Sequence, residues 1–166
     1  MAERNFALGL MTPLRKLTDD EVELIYKEIG RINADRSKFS VNKDLIIKTK
    51  YLEDRDMIVI GSNVIPDLEN GTCARDKMPI VCVLAHEYYG HRAQLSKYKK
   101  EAESGVNTSN TWEDEYNASY LAAKNTPNLT KEERRMLIED ALDRKREANV
   151  KVVYDDVIKE ILDMKD

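Results

Sequence analysis

Hydrophobic residues recur at helical spacing near the N-terminal end of the chain. Four of them lie three or four positions apart, at Val22, Ile25, Ile29 and Ile32. This spacing is typical of one face of an amphipathic helix. Thr18 and Glu21 stand just before them in the order of a capping box, in which each side chain bonds the other residue's backbone N–H. The pattern therefore predicts a helix that starts at Thr18.

A pattern of extended structure follows between residues 44 and 66. Two short β-rich runs, residues 45–47 and 57–60, flank the polar residues 53–56. Apolar runs on either side of a polar turn are typical of a β-hairpin. We therefore expect two strands joined by a turn at residues 53–56.

The most apolar segment of the chain opens the next predicted helix, which covers about residues 77–97. Asp76 is placed to cap this helix, and Pro79 is tolerated in its first turn. Residues 78–85 are apolar on every side, which indicates a buried helix.

Two further helices are predicted from their capping residues. Thr111 precedes a helix over about residues 112–125, and Thr130 with Glu133 forms a second capping box for a helix to about residue 148. A last helix, or a strand and then a helix, covers residues 150–164. Charges of mixed sign on these last two segments predict a solvated surface. The order of helix, short sheet and helices indicates an α+β fold.

The composition limits the class of protein. The 166 residues include 31 acidic and 27 basic side chains, which gives a net charge of -4, and 42% are hydrophobic. That hydrophobic fraction supports one ordinary core. Because no repeat or linker divides the chain, residues 1–166 are expected to form a single domain. The scattered basic residues argue against a nucleic-acid partner.

A membrane partner is not expected either. The longest apolar run, Ile80–Ala85, has six residues, whereas a membrane-spanning helix needs about 20. The N-terminal segment lacks the pattern of a secretory signal, and Cys73 and Cys82 do not suggest a disulfide framework. We therefore expect a reduced, cytoplasmic protein, with export by a non-classical route as the alternative.

Both histidines of the chain lie in one six-residue stretch, His-Glu-Tyr-Tyr-Gly-His, inside the predicted apolar helix. His86 and His91 can hold a zinc ion as neutral imidazoles. Glu87, directly after the first histidine, can accept a proton from the zinc-bound water. This combination of residues is the one that metal-assisted hydrolysis requires.

The spacing of the two histidines predicts a local distortion of the helix. The common form of such a motif has a spacing of four, which turns through about 400°, but a spacing of five turns through about 500°. The rings would then lie about 140° apart on an ideal α-helix and could not share a metal. A bulge must therefore absorb one residue. We place it at Gly90, because glycine tolerates unusual backbone angles.

A third zinc ligand is expected from the following predicted helix, because the chain has no third histidine. Glu115 shares a helical face with small residues that would let this helix approach the histidines closely, whereas Glu113 lies on a more exposed face. The small residues are Ala118, Ser119 and Ala122. Glu115 is therefore the predicted ligand. The candidates for orienting an imidazole ring are Asp114, Asn117 and Ser119.

These two segments resemble the dipeptidyl peptidase III family of zinc peptidases. That family has the motif His-Glu-x-x-Gly-His, and the second glutamate of a downstream Glu-Glu-x-x-Ala-Glu segment supplies its third zinc ligand. Residues 114–119, Asp-Glu-Tyr-Asn-Ala-Ser, match that spacing with Glu115 in the ligand position. Ser119 stands where the family carries a carboxylate outside the ligand set. The arrangement is also similar to gluzincins and to small zincin-like domains of phage and mobile-element proteins.

The resemblance covers about residues 78–125 and implies a zincin-like fold with Zn²⁺ bound by His86, His91 and Glu115. Glu87 would be the general base of a zinc metallopeptidase that acts on a peptide or protein substrate. Residues 57–60 could form the sheet edge with which the substrate pairs, or an interior strand. The donor that stabilises the oxyanion would be a tyrosine, an arginine or a backbone group. The candidate tyrosines are Tyr88, Tyr89, Tyr116, Tyr120 and Tyr154.

Two alternatives to catalysis stay open. Cys82 lies four residues before His86 and could be a fourth ligand in a closed, structural zinc site. The domain could also keep a peptidase-like site and act as an interaction module, such as a virion- or toxin-associated part. Replacing Glu87 by glutamine would separate cleavage from binding. Nickel, cobalt or manganese could occupy the same ligands.

Overall fold

A small sheet and a set of helices make up the described part of the chain, residues 13–108 and 111–164 of a computed structural model. The helices are α1 (Asp19–Arg31), α2 (Ala74–Lys77), α3 (Ile80–Ala85), α4 (Leu95–Glu103), α5 (Trp112–Asn125), α6 (Lys131–Glu147) and α7 (Asp156–Ile161). The strands are β1 (Phe39–Val41), β2 (Lys50–Leu52) and β3 (Met57–Ile60). The predicted α+β class is confirmed.

Three of the predicted helix caps are also confirmed. Thr18 caps α1 in a capping box with Glu21. Thr111 caps α5 through the backbone N–H of Asp114, and Thr130 begins α6 with a second capping box. These starts depend on contacts between residues three apart in the chain, which is why the sequence alone locates them.

The sheet has the order β1-β3-β2. Strand β1 runs parallel to β3, and β2 pairs with β3 in antiparallel register, with Tyr51 opposite Ile58. Of the two alternatives for residues 57–60, a sheet edge or an interior strand, the structure has the interior strand, because β3 is the central strand. Its alternate residues Ile58 and Ile60 are completely buried, and burial of one face fixes the register of a strand.

The hairpin is present, but its first strand is not where the sequence predicted it. Residues 53–56 form the turn, with Asp56 at a φ of 47°, and β2 immediately precedes it. Residues 45–47 are not a strand, because Leu45 and Ile46 lie at the surface with 47% and 58% of their area exposed. Apolar content alone therefore predicted the wrong position for this strand, which is Lys50–Leu52.

The single helix predicted over residues 77–97 is broken into shorter pieces. Met78 has an extended ψ of 133°, and Pro79 is the N-cap of α3. A residue before proline is disfavoured in the helical region, so α2 ends where Pro79 approaches. Asp76 does not cap α3. It lies in the first turn of α2, and its carboxylate accepts from the backbone N–H of Thr72 and Cys73.

The hydrophobic core joins α1, the sheet, α3 and α6. Its completely buried side chains include Ile25, Ile58, Val81, Leu84 and Leu137. The apolar segment 78–85 is buried as predicted, and it fixes the backbone that leads directly into the two histidines. None of the helices in the described residues has both the length and the apolar character needed to cross a membrane.

Candidate metal centre

One π-helical stretch, His86–His91, continues directly from α3. A π-helix places residues five apart on the same face, whereas an α-helix turns them apart. The imidazole rings of His86 and His91 consequently lie side by side in an edge-to-face arrangement, with their centroids 4.7 Å apart. The predicted distortion is confirmed at the position where the five-residue spacing required it.

Gly90 has a different role from the one predicted. Its backbone is not in the left-handed region, unlike that of Gly105. Instead, a Cβ atom at this position would lie 2.3 Å from the backbone oxygen of Ala118. Gly90 is therefore needed because α5 approaches the π-helix at van der Waals distance. The small residues predicted on this face of α5 are buried in the contact, including Ala118 and Ala122.

Glu115 brings the two imidazoles to a common point. His86 Nε2 lies 3.2 Å from Glu115 Oε1, and His91 Nε2 lies 3.2 Å from Glu115 Oε2. One ligand atom from each of the three residues falls within 4.8 Å of the others. Two imidazole nitrogens and a carboxylate oxygen at this separation match the ligand types of a zinc site with an open position. Glu113, by contrast, is exposed at the surface.

The hydrogen bonds of His86 Nδ1 define which nitrogen of this ring could bind a metal. His86 Nδ1 lies 2.7 Å from Ser119 Oγ, and the Ser119 hydroxyl donates to Asp140 Oδ2 at 2.5 Å. A hydroxyl has a single proton to donate, so Ser119 must accept from the Nδ1–H of His86. Because Nδ1 carries a proton, Nε2, which faces Glu115, is the nitrogen of this ring that a metal could bind.

His91 is oriented in the same way by a different set of side chains. Its Nδ1 lies 3.1 Å from the hydroxyl oxygen of Tyr98 and 3.4 Å from Asp114 Oδ2. The Tyr98 hydroxyl donates to Asp114 Oδ1 at 2.5 Å, so it accepts from Nδ1–H. Partners that fix the tautomer of a histidine are typical of metal ligands. Of the predicted orienting residues, Asp114 and Ser119 have this role.

Tyr98 was missed by the sequence reasoning. It lies seven residues after His91 and is 5% exposed. Residues seven apart lie close to one face of a helix, so this spacing was the signal that could have identified it. Burial and its hydrogen bond with Asp114 raise the pKa of the Tyr98 hydroxyl, so the hydroxyl keeps its proton and its donor role.

Glu87 is buried beside the two histidines. Its Oε1 accepts a hydrogen bond of 3.1 Å from the backbone N–H of Tyr51, in strand β2. Burial raises the pKa of Glu87, although the charges of His91 and His86 act in the opposite direction. The antiparallel hairpin thus positions a carboxylate that the chain itself places next to His86.

His91 and Glu115 form an ion pair. Burial alone would lower the pKa of His91, but the charge of Glu115 and the hydrogen bonds that His91 donates to Asp114 and Glu115 outweigh it and raise this pKa well above its usual value. The pKa of Glu115 is correspondingly well below its usual value, because both histidines and Arg144 offset its burial. A metal that binds here must displace this proton.

Helix α6 contributes charged residues that the sequence analysis assigned to a solvated surface, and for two of them that prediction is wrong. Asp140 is completely buried, and Arg144 has 14% of its side chain exposed. Arg144 Nη1 lies 3.3 Å from Glu115 Oε1, and its Nε lies 3.4 Å from Asp140 Oδ1. The available signal was that Asp140 and Arg144 continue the helical face of the buried Leu137, at intervals of three and four.

A cleft of about 970 Å³ opens onto these residues. It is lined by strand β2, by His86, Glu87 and His91, and by Glu115 and Arg144. The five tyrosines proposed to stabilise an oxyanion all lie in the described part of the chain, and none of them lines this cleft. The hydroxyl of Tyr89, for example, donates to the backbone oxygen of Ile32. These five tyrosines therefore lie outside the cleft.

Cys82 lies on α3 one turn before His86, but its thiol is directed elsewhere. Cys82 Sγ donates to the backbone oxygen of Glu133 at 3.5 Å. Burial raises the pKa of this thiol to about 12, so the thiol keeps its proton in this hydrogen bond. This placement does not favour Cys82 as a fourth ligand.

No family model, curated protein or solved structure matches this chain. The function therefore has to be inferred from the chemistry of the site itself.

Proposed function

We propose that this protein is a zinc-dependent metallopeptidase with a zincin-like arrangement, in which His86, His91 and Glu115 hold the metal. The observation that supports this most strongly is the convergence of both Nε2 atoms on one carboxylate across a π-helical turn. Both Nδ1 atoms are engaged by further partners, Ser119 and Tyr98. That arrangement directs both lone pairs to the same point.

A zinc ion at this site would supply a polarised water nucleophile at neutral pH. Glu87 is then the proton acceptor for the attacking water and the donor for the leaving amine. Its backbone partner, the N–H of Tyr51, fixes the carboxylate against the cleft. Ser119 and Tyr98 keep the imidazoles in the tautomer that binds metal through Nε2.

The sheet edge that adjoins the site belongs to β2 rather than β3, and β2 lines the cleft. An extended peptide could therefore lie along this strand within reach of Glu87 and the proposed metal ligands. Backbone hydrogen bonds to a strand edge are a common source of affinity for extended peptides. The position of this strand edge supports a peptide or protein chain as the proposed substrate.

Metal analysis of protein purified without added zinc tests the ligand set. We expect close to one zinc per chain in the wild type and in Glu87→Gln, and loss of zinc in His86→Ala and Glu115→Ala. Glu113→Ala is the matched control, because this exposed carboxylate is on the same helix, and it should retain the metal. Retention of zinc in Glu115→Ala would contradict the assignment of the third ligand.

Digestion of a defined peptide mixture, followed by mass spectrometry, tests catalysis. Glu87→Gln should bind zinc normally and lose roughly 10²–10⁴-fold in cleavage rate, because it can no longer accept a proton. If the wild type holds stoichiometric zinc but cleaves no peptide bond, in this mixture or in intact proteins, the site is a binding module instead. Equal cleavage by Glu87→Gln and wild type would overturn the role of Glu87.

A further inference from the structure

We propose that Arg144 is a positioning residue that holds two of the three proposed metal ligands, Glu115 and His86, from a single point on α6. This inference rests on the proposed metal centre and adds to it a requirement for a side chain of helix α6. Arg144 is not one of the metal ligands. It acts through the two side chains that it contacts.

The first contact is direct. Arg144 Nη1 lies 3.3 Å from Glu115 Oε1, which is also the oxygen nearest to His86 Nε2. A carboxylate that binds a metal through one oxygen can rotate unless a second group fixes it, and a guanidinium donor can supply that restraint. Arg144 therefore limits the orientations that are open to Glu115.

The second contact is relayed through two side chains. Arg144 Nε lies 3.4 Å from Asp140 Oδ1, and Asp140 Oδ2 accepts a hydrogen bond from the hydroxyl of Ser119. Ser119 Oγ in turn lies 2.7 Å from His86 Nδ1. These contacts link Arg144 to His86 through Asp140 and Ser119. A substitution at Arg144 should therefore also affect the hydrogen bond that fixes the tautomer of His86.

The geometry requires an arginine at this position. The two carboxylates, Glu115 and Asp140, approach different nitrogens of one planar group. A lysine ammonium is a point charge and cannot present two fixed donors in this way. Through the one side chain of Arg144, helix α6 therefore contacts both the proposed ligand Glu115 and the carboxylate of Asp140, which accepts from Ser119.

The fold should survive the loss of Arg144. Asp140 is completely buried, but Arg75 also approaches it, with its Nε at 3.5 Å from Asp140 Oδ1. One positive charge would therefore remain next to the buried carboxylate after Arg144 is replaced. The variants Arg144→Met and Arg144→Lys separate the charge from the two-donor geometry.

Cobalt and zinc binding to the full chain provides the test. Cobalt(II) reports ligand geometry through its visible absorption spectrum, and zinc affinity is measured by competition with a chelating dye. We expect Arg144→Met to bind zinc about 10–100-fold more weakly than the wild type and to alter the cobalt spectrum. Arg144→Lys should stay closer to Arg144→Met than to the wild type, because it restores only the charge.

Arg146→Met is the matched control on the same helix. Arg146 has 48% of its side chain exposed and pairs with Asp143, so its replacement should leave both metal measurements unchanged. If Arg144→Met does not fold, the inference is tested with Ser119→Ala, Arg144→Lys and the double variant that combines them. Their effects on zinc affinity should be less than additive in the double variant, because both act through Asp140.

Three outcomes would overturn the inference. An Arg144→Met variant with wild-type zinc affinity and cobalt spectrum would do so, even if its melting temperature fell, because that result describes a purely structural residue. Strictly additive effects of Ser119→Ala and Arg144→Lys would break the proposed chain of contacts. A wild-type protein that binds neither metal would overturn the metal centre itself, and this inference with it.

Discussion

Replacing Gly90 by alanine should push α5 away from the π-helix. The added Cβ atom would lie 2.3 Å from the backbone oxygen of Ala118, whereas real Cβ atoms essentially never come closer than 3.0 Å. The gap must therefore widen by at least 0.7 Å. Because the obstacle is backbone rather than a flexible side chain, the helix itself has to move.

Two opposing effects decide the size of the change in stability. Alanine is favoured over glycine in a helix by about 1 kcal/mol. Overpacking a close contact costs about 1–3 kcal/mol, and occasionally more. At Gly90 the obstacle is backbone, so the steric cost should lie in the upper part of this range and exceed the gain in helix propensity. We therefore expect a net loss of stability of about 1–2 kcal/mol. For a chain of this size that corresponds to a fall in Tm of roughly 2–8 °C.

Gly30 is the matched control for this substitution. It lies in helix α1, and an added Cβ would have no atom within 4 Å. Gly30→Ala should therefore show only the helix-propensity effect and stabilise the protein by about 0.5–1 kcal/mol. The same chemical change is thus expected to have opposite signs at the two positions.

Thermal unfolding of metal-free protein, followed by far-ultraviolet circular dichroism, measures both variants. Gly90→Ala should also bind cobalt more weakly, because Glu115 and Ser119 are carried by the helix that has to move. Gly30→Ala should bind cobalt like the wild type. A Gly90→Ala protein that melts at or above the wild-type temperature would refute the close approach of α5 on which this reasoning depends.

Three further predictions concern other parts of the fold. The thiol of Cys82, whose pKa burial raises to about 12, should resist alkylation at pH 8 in the native protein and react fully in urea, as measured by mass spectrometry. Thr130→Ala removes the N-cap of α6 and should cost about 1 kcal/mol, seen as a fall in Tm of roughly 2–4 °C. The pKa of Glu21 is lowered to about 2, chiefly by its hydrogen bonds with Arg15. A lowered carboxyl pKa stabilises the fold above the unfolded value near 4.5, so Glu21→Gln should destabilise by up to about 1 kcal/mol at pH 6. That difference should shrink as the pH falls from about 4.5 to 2, in urea titrations of both proteins, and a constant difference would contradict the pairing.

The sequence by itself determined the features that depend on neighbouring positions. The capping residues Thr18, Thr111 and Thr130 start helices as predicted, because a cap bonds the backbone only three residues away. The five-residue interval between His86 and His91 required a widened turn, and the structure has a π-helix there. Each of these follows from the geometry of one continuous segment.

Only the tertiary structure decided the features that join distant segments. The pairing of β1 with β3 and the central position of β3 follow from how the sheet is assembled. The contact between Gly90 and Ala118 and the reach of Arg144 to Glu115 connect separate helices. Periodicity shows which face of a helix is buried, but it does not identify the residue that faces it. A charged pair such as Asp140 and Arg144 therefore has the sequence pattern of a solvated surface, and only packing places it beside the proposed metal ligands.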